Sequence, residues 1–306
     1  MHTPHHPSRR NFLKTTTLAL AGTALLPDPL LAVWKRKEIM GIQLYSVRDD
    51  MRKDPLGTLK QLAAMGYRYV EHANYADRKF YGYKPQEFKK VLRGLDMKMR
   101  SGHTVLGAQH WDESKKDFTD AWKWTIEDAA IVGQKYVISP WLDERYRQTY
   151  DDLKRYMEVF NKSGALCKKS GLKFGYHNHH FEFVEQLNGR KVYDVILQNT
   201  DPTLVTQQLD TGNLYNGGVV ALDIVKQYPG RFELMHVKDE IESKGGHDKY
   251  ESTVLGAGIV NLQEVLDLGR KSGGTRHFII EQEAYQGKNP MDCAREDYAV
   301  MKKWGY

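Results

Sequence analysis

Between residues 38 and 306 the chain alternates short apolar runs with longer amphipathic ones, eight times over, and this repeat most restricts how it can fold. The short runs predict strands at Ile39–Tyr45, Tyr69–Glu71, Lys98–His103, Tyr136–Ser139, Lys173–His177, Val205–Asp210, Phe232–Lys238 and His277–Glu281. Helical spacing fills the intervals, over Pro55–Met65, Pro85–Leu95, Thr119–Val132, Asp151–Ser170, Val192–Asn199, Val219–Gln227, Leu262–Lys271 and Pro290–Trp304. Gly66, Gly133, Gly171 and Gly273 each stand just before the next strand, where a left-handed residue ends a helix. Eight βα units in a segment of this length predict a single α/β domain over 38–306, a closed (β/α)8 TIM barrel. No glycine fingerprint follows the first strand, and Gly256-Ala257-Gly258 reads as a turn, which speaks against a doubly wound dinucleotide fold.

The 37 residues before this repeat read differently. Ser8-Arg9-Arg10-Asn11-Phe12-Leu13-Lys14 followed by an apolar run from Leu18 to Leu26 has the pattern of a twin-arginine export signal. The run is too short to span a bilayer, which takes about 20 residues. The expectation is an export leader over 1–37 and a periplasmic barrel without a transmembrane span. The leader also explains the formal charge of +6. Arg9, Arg10, Lys14, Lys35, Arg36 and Lys37 against Asp28 account for five of those charges, so the barrel segment is nearly neutral. A neutral body lacks the electrostatic footprint of a nucleic-acid binder, and no nucleic-acid partner is expected. Two cysteines, Cys167 and Cys293, are read as buried thiols rather than a disulfide scaffold.

In a TIM barrel chemistry gathers where strands end. Those ends carry Gln43 and Tyr45, Glu71, His103, His177 and His179, Asp210, His236 and Lys238, and Glu281 and Glu283. Side chains alternate faces along a strand, so Gln208 with Asp210, Leu234 with His236 and Ile279 with Glu281 share a side. Asp210, His236 and Glu281 come from three consecutive strands and can converge. Two carboxylates and an imidazole suit a divalent metal ion: Mn²⁺, Mg²⁺, Co²⁺, Fe²⁺ or Zn²⁺. A fourth ligand from strand five would still leave room for substrate oxygens.

Gly41-Ile42-Gln43-Leu44-Tyr45-Ser46, Gly175-Tyr176-His177-Asn178-His179, Leu209-Asp210-Thr211-Gly212-Asn213, His236-Val237-Lys238-Asp239 and Ile279-Ile280-Glu281, in this order, resemble the xylose-isomerase-like superfamily of sugar isomerases and epimerases. The resemblance covers residues 39–304. It implies a metal held by strands five to eight, with Asp210, His236 and Glu281 matching the last three ligands. Where the epimerases carry a ligand glutamate on strand five, this chain has His177, a swap similar to the inosose-dehydratase branch. His177 is then the implied fourth ligand, with His179 left open as its alternative. In the epimerases that glutamate is also one of two bases, so another residue must act here. His103, Glu71 and Glu182 are the candidate catalytic bases, and Lys238 a candidate hydrogen-bond donor to a substrate hydroxyl or oxyanion. Tyr75, Trp111, Trp141 and Tyr215 offer rings that either stack on sugar or pack locally.

The resemblance implies a metal-dependent enzyme that enolises a carbonyl sugar, of the isomerase/epimerase type. The alternative is a lyase or dehydratase acting on an inosose or a 3-keto-glycoside. An apurinic endonuclease, which the superfamily also contains, fits poorly with a neutral body, and a retired sugar-binding barrel fits poorly with a full cluster of ligand types. The expected partner is a small carbohydrate, and homo-oligomers are common in the superfamily.

Overall fold

A computed structural model describes residues 39–245 and 248–306. The leader over 1–37 lies outside the described residues. Eight parallel strands form one sheet: β1 Ile39–Gln43, β2 Tyr69–His72, β3 Lys98–Gly102, β4 Tyr136–Ser139, β5 Lys173–His177, β6 Val205–Asp210, β7 Leu234–Val237 and β8 His277–Ile280. Their order is β3-β2-β1-β8-β7-β6-β5-β4. The ring closes between β3 and β4 through a bridge of His103 with Ile138 and the bonds Thr104 N–H to Ile138 O (2.9 Å) and Lys135 N–H to Arg100 O (2.7 Å). The α/β barrel expected from the repeat is therefore the fold.

One principal helix follows each strand: α1 Pro55–Met65, α2 Pro85–Gly94, α3 Asp120–Val132, α4 Tyr150–Lys169, α5 Val192–Asn199, α6 Ala221–Gln227, α7 Leu262–Leu268 and α8 Pro290–Lys303. Their ends are written in the sequence. Asp54 caps α1 by accepting from Gly57 N–H, with Pro55 in the first turn, and Gly66 stops it at φ 114°. Thr149 caps α4 and Asn289 caps α8 in the same way. Gly133 and Gly171 also adopt left-handed φ, whereas the left-handed stop after α7 falls on Gly274 rather than Gly273. There the chain runs through a π-helical turn, Gly269–Gly273, before the glycine that ends it.

Two apolar layers lie between strands and helices, and a small group of Ile138, Leu234 and Ile279 lies apart from them. The latter two share strand parity with His236 and Glu281, which places the polar cluster above this plug at the strands' C-terminal ends. Gly175, two residues below His177, is crowded enough that a Cβ would come 2.6 Å from Ile138 Cδ1. Glycine there lets β5 approach its neighbours. The first strand ends at Gln43, so Tyr45 sits in a 3₁₀ turn, Leu44–Val47, and not on the strand. Short hairpins follow β2, β3, β5 and β7; the first pairs Tyr75–Ala76 with Lys79–Phe80. Cys167 and Cys293 are free and buried. Among the described residues no helix is long and apolar enough to cross a membrane.

Candidate active site and metal centre

The C-terminal ends of β5 to β8 bring one ligand atom from each of His177, Asp210, His236 and Glu281 within 4.8 Å of one another. Ligands bound at first-shell distances lie no more than about 4–5 Å apart, so these four fit one divalent ion. A second observation supports the fit. Asp210 Oδ1 accepts the N–H groups of Gly212 (2.9 Å) and Asn213 (2.8 Å), which fixes the carboxylate, while its buried Oδ2 accepts no hydrogen bond. Oδ2 faces the Lys238 ammonium at 3.1 Å, off the hydrogen-bonding direction, and the His177 and His236 imidazoles at 3.8 and 3.9 Å.

A layer of polar side chains behind the cluster orients the rings. Glu71 is buried and accepts from Gln43 Nε2 (2.8 Å), Gln208 Nε2 (2.9 Å) and His236 Nε2 (2.6 Å), with His103 Nε2 at ion-pair distance (3.1 Å). Burial opposes its ionisation, but His103 and His236 hold it well below the usual carboxylate range. Because an ionised carboxylate only accepts, the Gln208 amide must turn its Nε2 to Glu71 and its Oε1 the other way. That oxygen receives His103 Nε2 (2.7 Å) and His177 Nδ1 (3.1 Å). Both rings therefore carry their proton on the nitrogen facing Gln208. His177 is left with Nε2 toward Asp210, and His103 with Nδ1 uncommitted. Likewise His236 gives Nε2–H to Glu71 and turns Nδ1 to Glu281 Oε2 (3.0 Å). This is the carboxylate–histidine arrangement that fixes a ligating imidazole. Burial alone would depress His236, yet Glu281 and Glu71 raise it to about 10, so ligation of a metal through Nδ1 would release a proton. Burial and the neighbouring imidazoles hold His177 well below its ordinary value, in the neutral form that ligates.

Lys238 is 1% exposed, far from the solvated lysine that a strand end allows. Its ammonium contacts Glu283 (2.6 Å), Glu281 (2.9 Å) and Asn213 (3.2 Å) besides Asp210. Burial opposes its charge, but Asp210, Glu281 and Glu283 keep its pKa well above the usual value. The stacked rings of His103 and His236 lie 5.1 Å apart, and His103 is 4.9 Å from His177, so His103 stands beside the ligand group and not across an opening from it. Glu182 is fully buried. Its carboxylate accepts the Tyr176 hydroxyl and the His179 N–H (3.0 and 2.9 Å), and burial pushes its pKa up to about 7. It braces the loop after β5 and does not line the cavity. His179 does line the cavity, with its ring 5.2 Å from that of His177, but lies outside the four-residue group.

Above the cluster opens a cavity of about 860 Å³. His103, His177, His179, Lys238, Glu281 and Glu283 line its inner end. Glu71 is absent from the wall, which places it behind the imidazoles. The sequence put Gln208 on the same side as Asp210 but gave it no role, although a polar residue at that position in a strand was a signal. Sequence reasoning passed over Arg78, Trp124 and Asp128, which shape the cavity's other end.

The family model for the xylose isomerase-like TIM barrel matches residues 59–304. An inosose dehydratase of Clostridium perfringens is 26% identical over 271 residues, covering 80% of this chain and 88% of that protein. A sugar phosphate isomerase/epimerase from Parabacteroides distasonis, of known structure, superposes with a TM-score of 0.74 at 24% identity, covering 87% of this chain and 93% of that one. The IolI protein, solved with a bound zinc atom, superposes with a TM-score of 0.68 at 12% identity, over 87% and 97% of the two chains. With most of its length matched, this chain belongs to the xylose isomerase-like TIM barrel family.

Proposed function

We propose that this protein is a divalent-metal-dependent lyase, which enolises a keto-sugar or keto-cyclitol and then expels the β-substituent. The observation that carries this is His177. Two-base epimerisation needs a free base on each face of the reacting carbon. Here the strand-five position holds an imidazole whose Nδ1 is bound to Gln208 and whose Nε2 faces Asp210. The similarity to inosose dehydratases supports the same direction. His177, Asp210, His236 and Glu281 would hold the cation, which supplies a Lewis acid for a carbonyl oxygen.

The chain's own groups do the rest. His103, oriented by Gln208 and Glu71, presents Nδ1 as the single base and takes the proton beside the carbonyl. The C–H electron pair becomes the enolate double bond. The carbonyl π pair, which moves onto oxygen as the enolate forms, returns to restore the carbonyl; the enolate pair becomes the new C=C bond, and the β C–O bond breaks with its electrons leaving on oxygen. The departing oxygen takes the proton back from His103. Substrate becomes an enone plus water or an alcohol, with no redox partner. Lys238 and Asn213 donate hydrogen bonds to substrate oxygens, and Glu283 accepts from a hydroxyl.

The test incubates metal-loaded protein in D₂O with a ketohexose, scyllo-inosose and methyl 3-ketoglucoside. The lyase reading expects an ultraviolet-absorbing enone and release of water or methanol. A full-mass isomer carrying deuterium at an inverted or migrated carbon, with no enone, would establish isomerase or epimerase chemistry instead.

A further inference from the structure

We propose that the outer end of the cavity is a second-ring subsite, built on Trp124 and Arg78, so that the substrate is a neutral two-ring glycoside. This rests on the lyase reading, with the second ring as the group expelled. At about 860 Å³ the cavity lies in the upper part of the roughly 300–1,000 Å³ typical of ligand pockets, more room than one sugar ring beside the cluster requires. Beside loop residues such as Val105 and Trp141, its wall includes two elements that contribute nothing to the strand-end cluster: the hairpin after β2 and helix α3. Trp124 is 45% exposed, while its α3 neighbours Trp122 and Ile126 are buried in the barrel's outer layer. An indole left open on a cavity wall gives a flat apolar face of the kind that receives the C–H face of a pyranose.

The platform is held rigid. Arg78 grips Asp128 with two bonds, Nε to Oδ2 (3.0 Å) and Nη2 to Oδ1 (2.7 Å), and reaches Glu127 as well (2.7 Å). Asp128 is 1% exposed and also accepts the Tyr75 hydroxyl at 2.7 Å. The Arg78 guanidinium stands 5.4 Å from the Trp124 ring centre. The hairpin tip that delivers it is strained: Asp77 and Arg78 have φ of 49° and 59°, where such two-residue turns favour Asn-Gly or Asp-Gly. A left-handed arginine costs about 1–2 kcal/mol, and strain of this kind persists where the side chain is used. Both tip residues line the cavity. The charge balance selects the ligand. Arg78 is already neutralised by two carboxylates and Asp77 adds a third, so the subsite suits a polyhydroxyl ring and opposes a phosphate.

The test compares 3-ketosucrose with methyl 3-ketoglucoside, using metal-loaded wild type, Trp124→Ala and Trp124→Phe. Sucrose binding is followed separately by calorimetry, which needs no turnover. Wild type is expected to favour the disaccharide at least about tenfold in kcat/KM, with Trp124→Ala losing about tenfold of that preference and Trp124→Phe restoring most of it. Turnover of the methyl glycoside with no disaccharide preference, or a preference that survives Trp124→Ala, would overturn the subsite and leave the lyase standing. Trp124-dependent sucrose binding without enone from either substrate would keep the subsite and sink the lyase.

Discussion

A buried carboxylate that accepts three donors, as Glu71 does, is an orienting group: it holds His236 directly, faces His103, and reaches His177 through Gln208. Gln208 is the joint between them, since its oxygen holds one ring nitrogen each of His103 and His177 and leaves the other free. Gln208→Leu keeps the bulk and removes both bonds. Metal affinity, read by competition with a chelator, is expected to fall about 10–100-fold, the usual loss when a residue behind a ligand is removed. Unchanged affinity would mean that the rings hold their orientation by packing. The two imidazoles themselves should separate. His177→Ala is expected to lower metal content, whereas His103→Ala keeps the metal and loses about 10²–10⁴-fold in turnover. Metal analysis beside kinetics decides this, and metal lost from the His103 variant alone would exchange the two roles.

At the scale of elements, what was legible in the sequence was what repeats. Strand and helix positions follow from periodicity and caps, and strand parity alone is enough to bring Asp210, His236 and Glu281 together. The two-residue hairpins that crown the barrel carry no periodicity, so Asp77 and Arg78 read as loop. Trp124 read as one more apolar residue of an amphipathic helix, because periodicity does not tell a face turned to a cavity from one turned to the core. Glu71 at a strand end and Glu182 just past one were the right residue types, but depth behind the wall is set by packing between elements. Helix α8 shows the same limit in Asp297, a charged residue that is 1% exposed. Burial, with help from Glu296 and Asp239 and against the Leu255 N–H, pushes its pKa from 3.8 to about 7. The folded state thus favours the protonated form, and the stability this gives is fully present below about pH 4 and lost as pH rises through 7. Asp297→Asn keeps an oxygen for the Leu255 N–H, 2.9 Å away in the wild type, and no longer titrates. Melting curves from pH 5 to 8 should show the wild type falling relative to the variant, and parallel curves would refute the assignment.

For the molecule as a whole, the four candidate ligands come from β5, β6, β7 and β8, one contiguous arc of the ring. The closure between β3 and β4 lies outside that arc and rests on a single bridge with a few backbone bonds. An ion held by the arc ties four strands together through side chains and adds stability by mass action. At a hundred times the dissociation constant that amounts to about 2.7 kcal/mol, which for a domain of this size raises Tm by roughly 5–10 °C. Melting with Mn²⁺ or Zn²⁺, and again after EDTA, measures it. Hydrogen exchange locates it, because a ligand that bridges β5–β8 suppresses local opening there first. The expected result is added protection in Lys173–His177, Val205–Asp210, Leu234–Val237 and His277–Ile280, with smaller changes in Lys98–Gly102 and Tyr136–Ser139. A Tm indifferent to metal and chelator would remove the cation altogether, and protection centred on β2 and β3 would place it elsewhere, with His103 and Glu71 as the residues to test next.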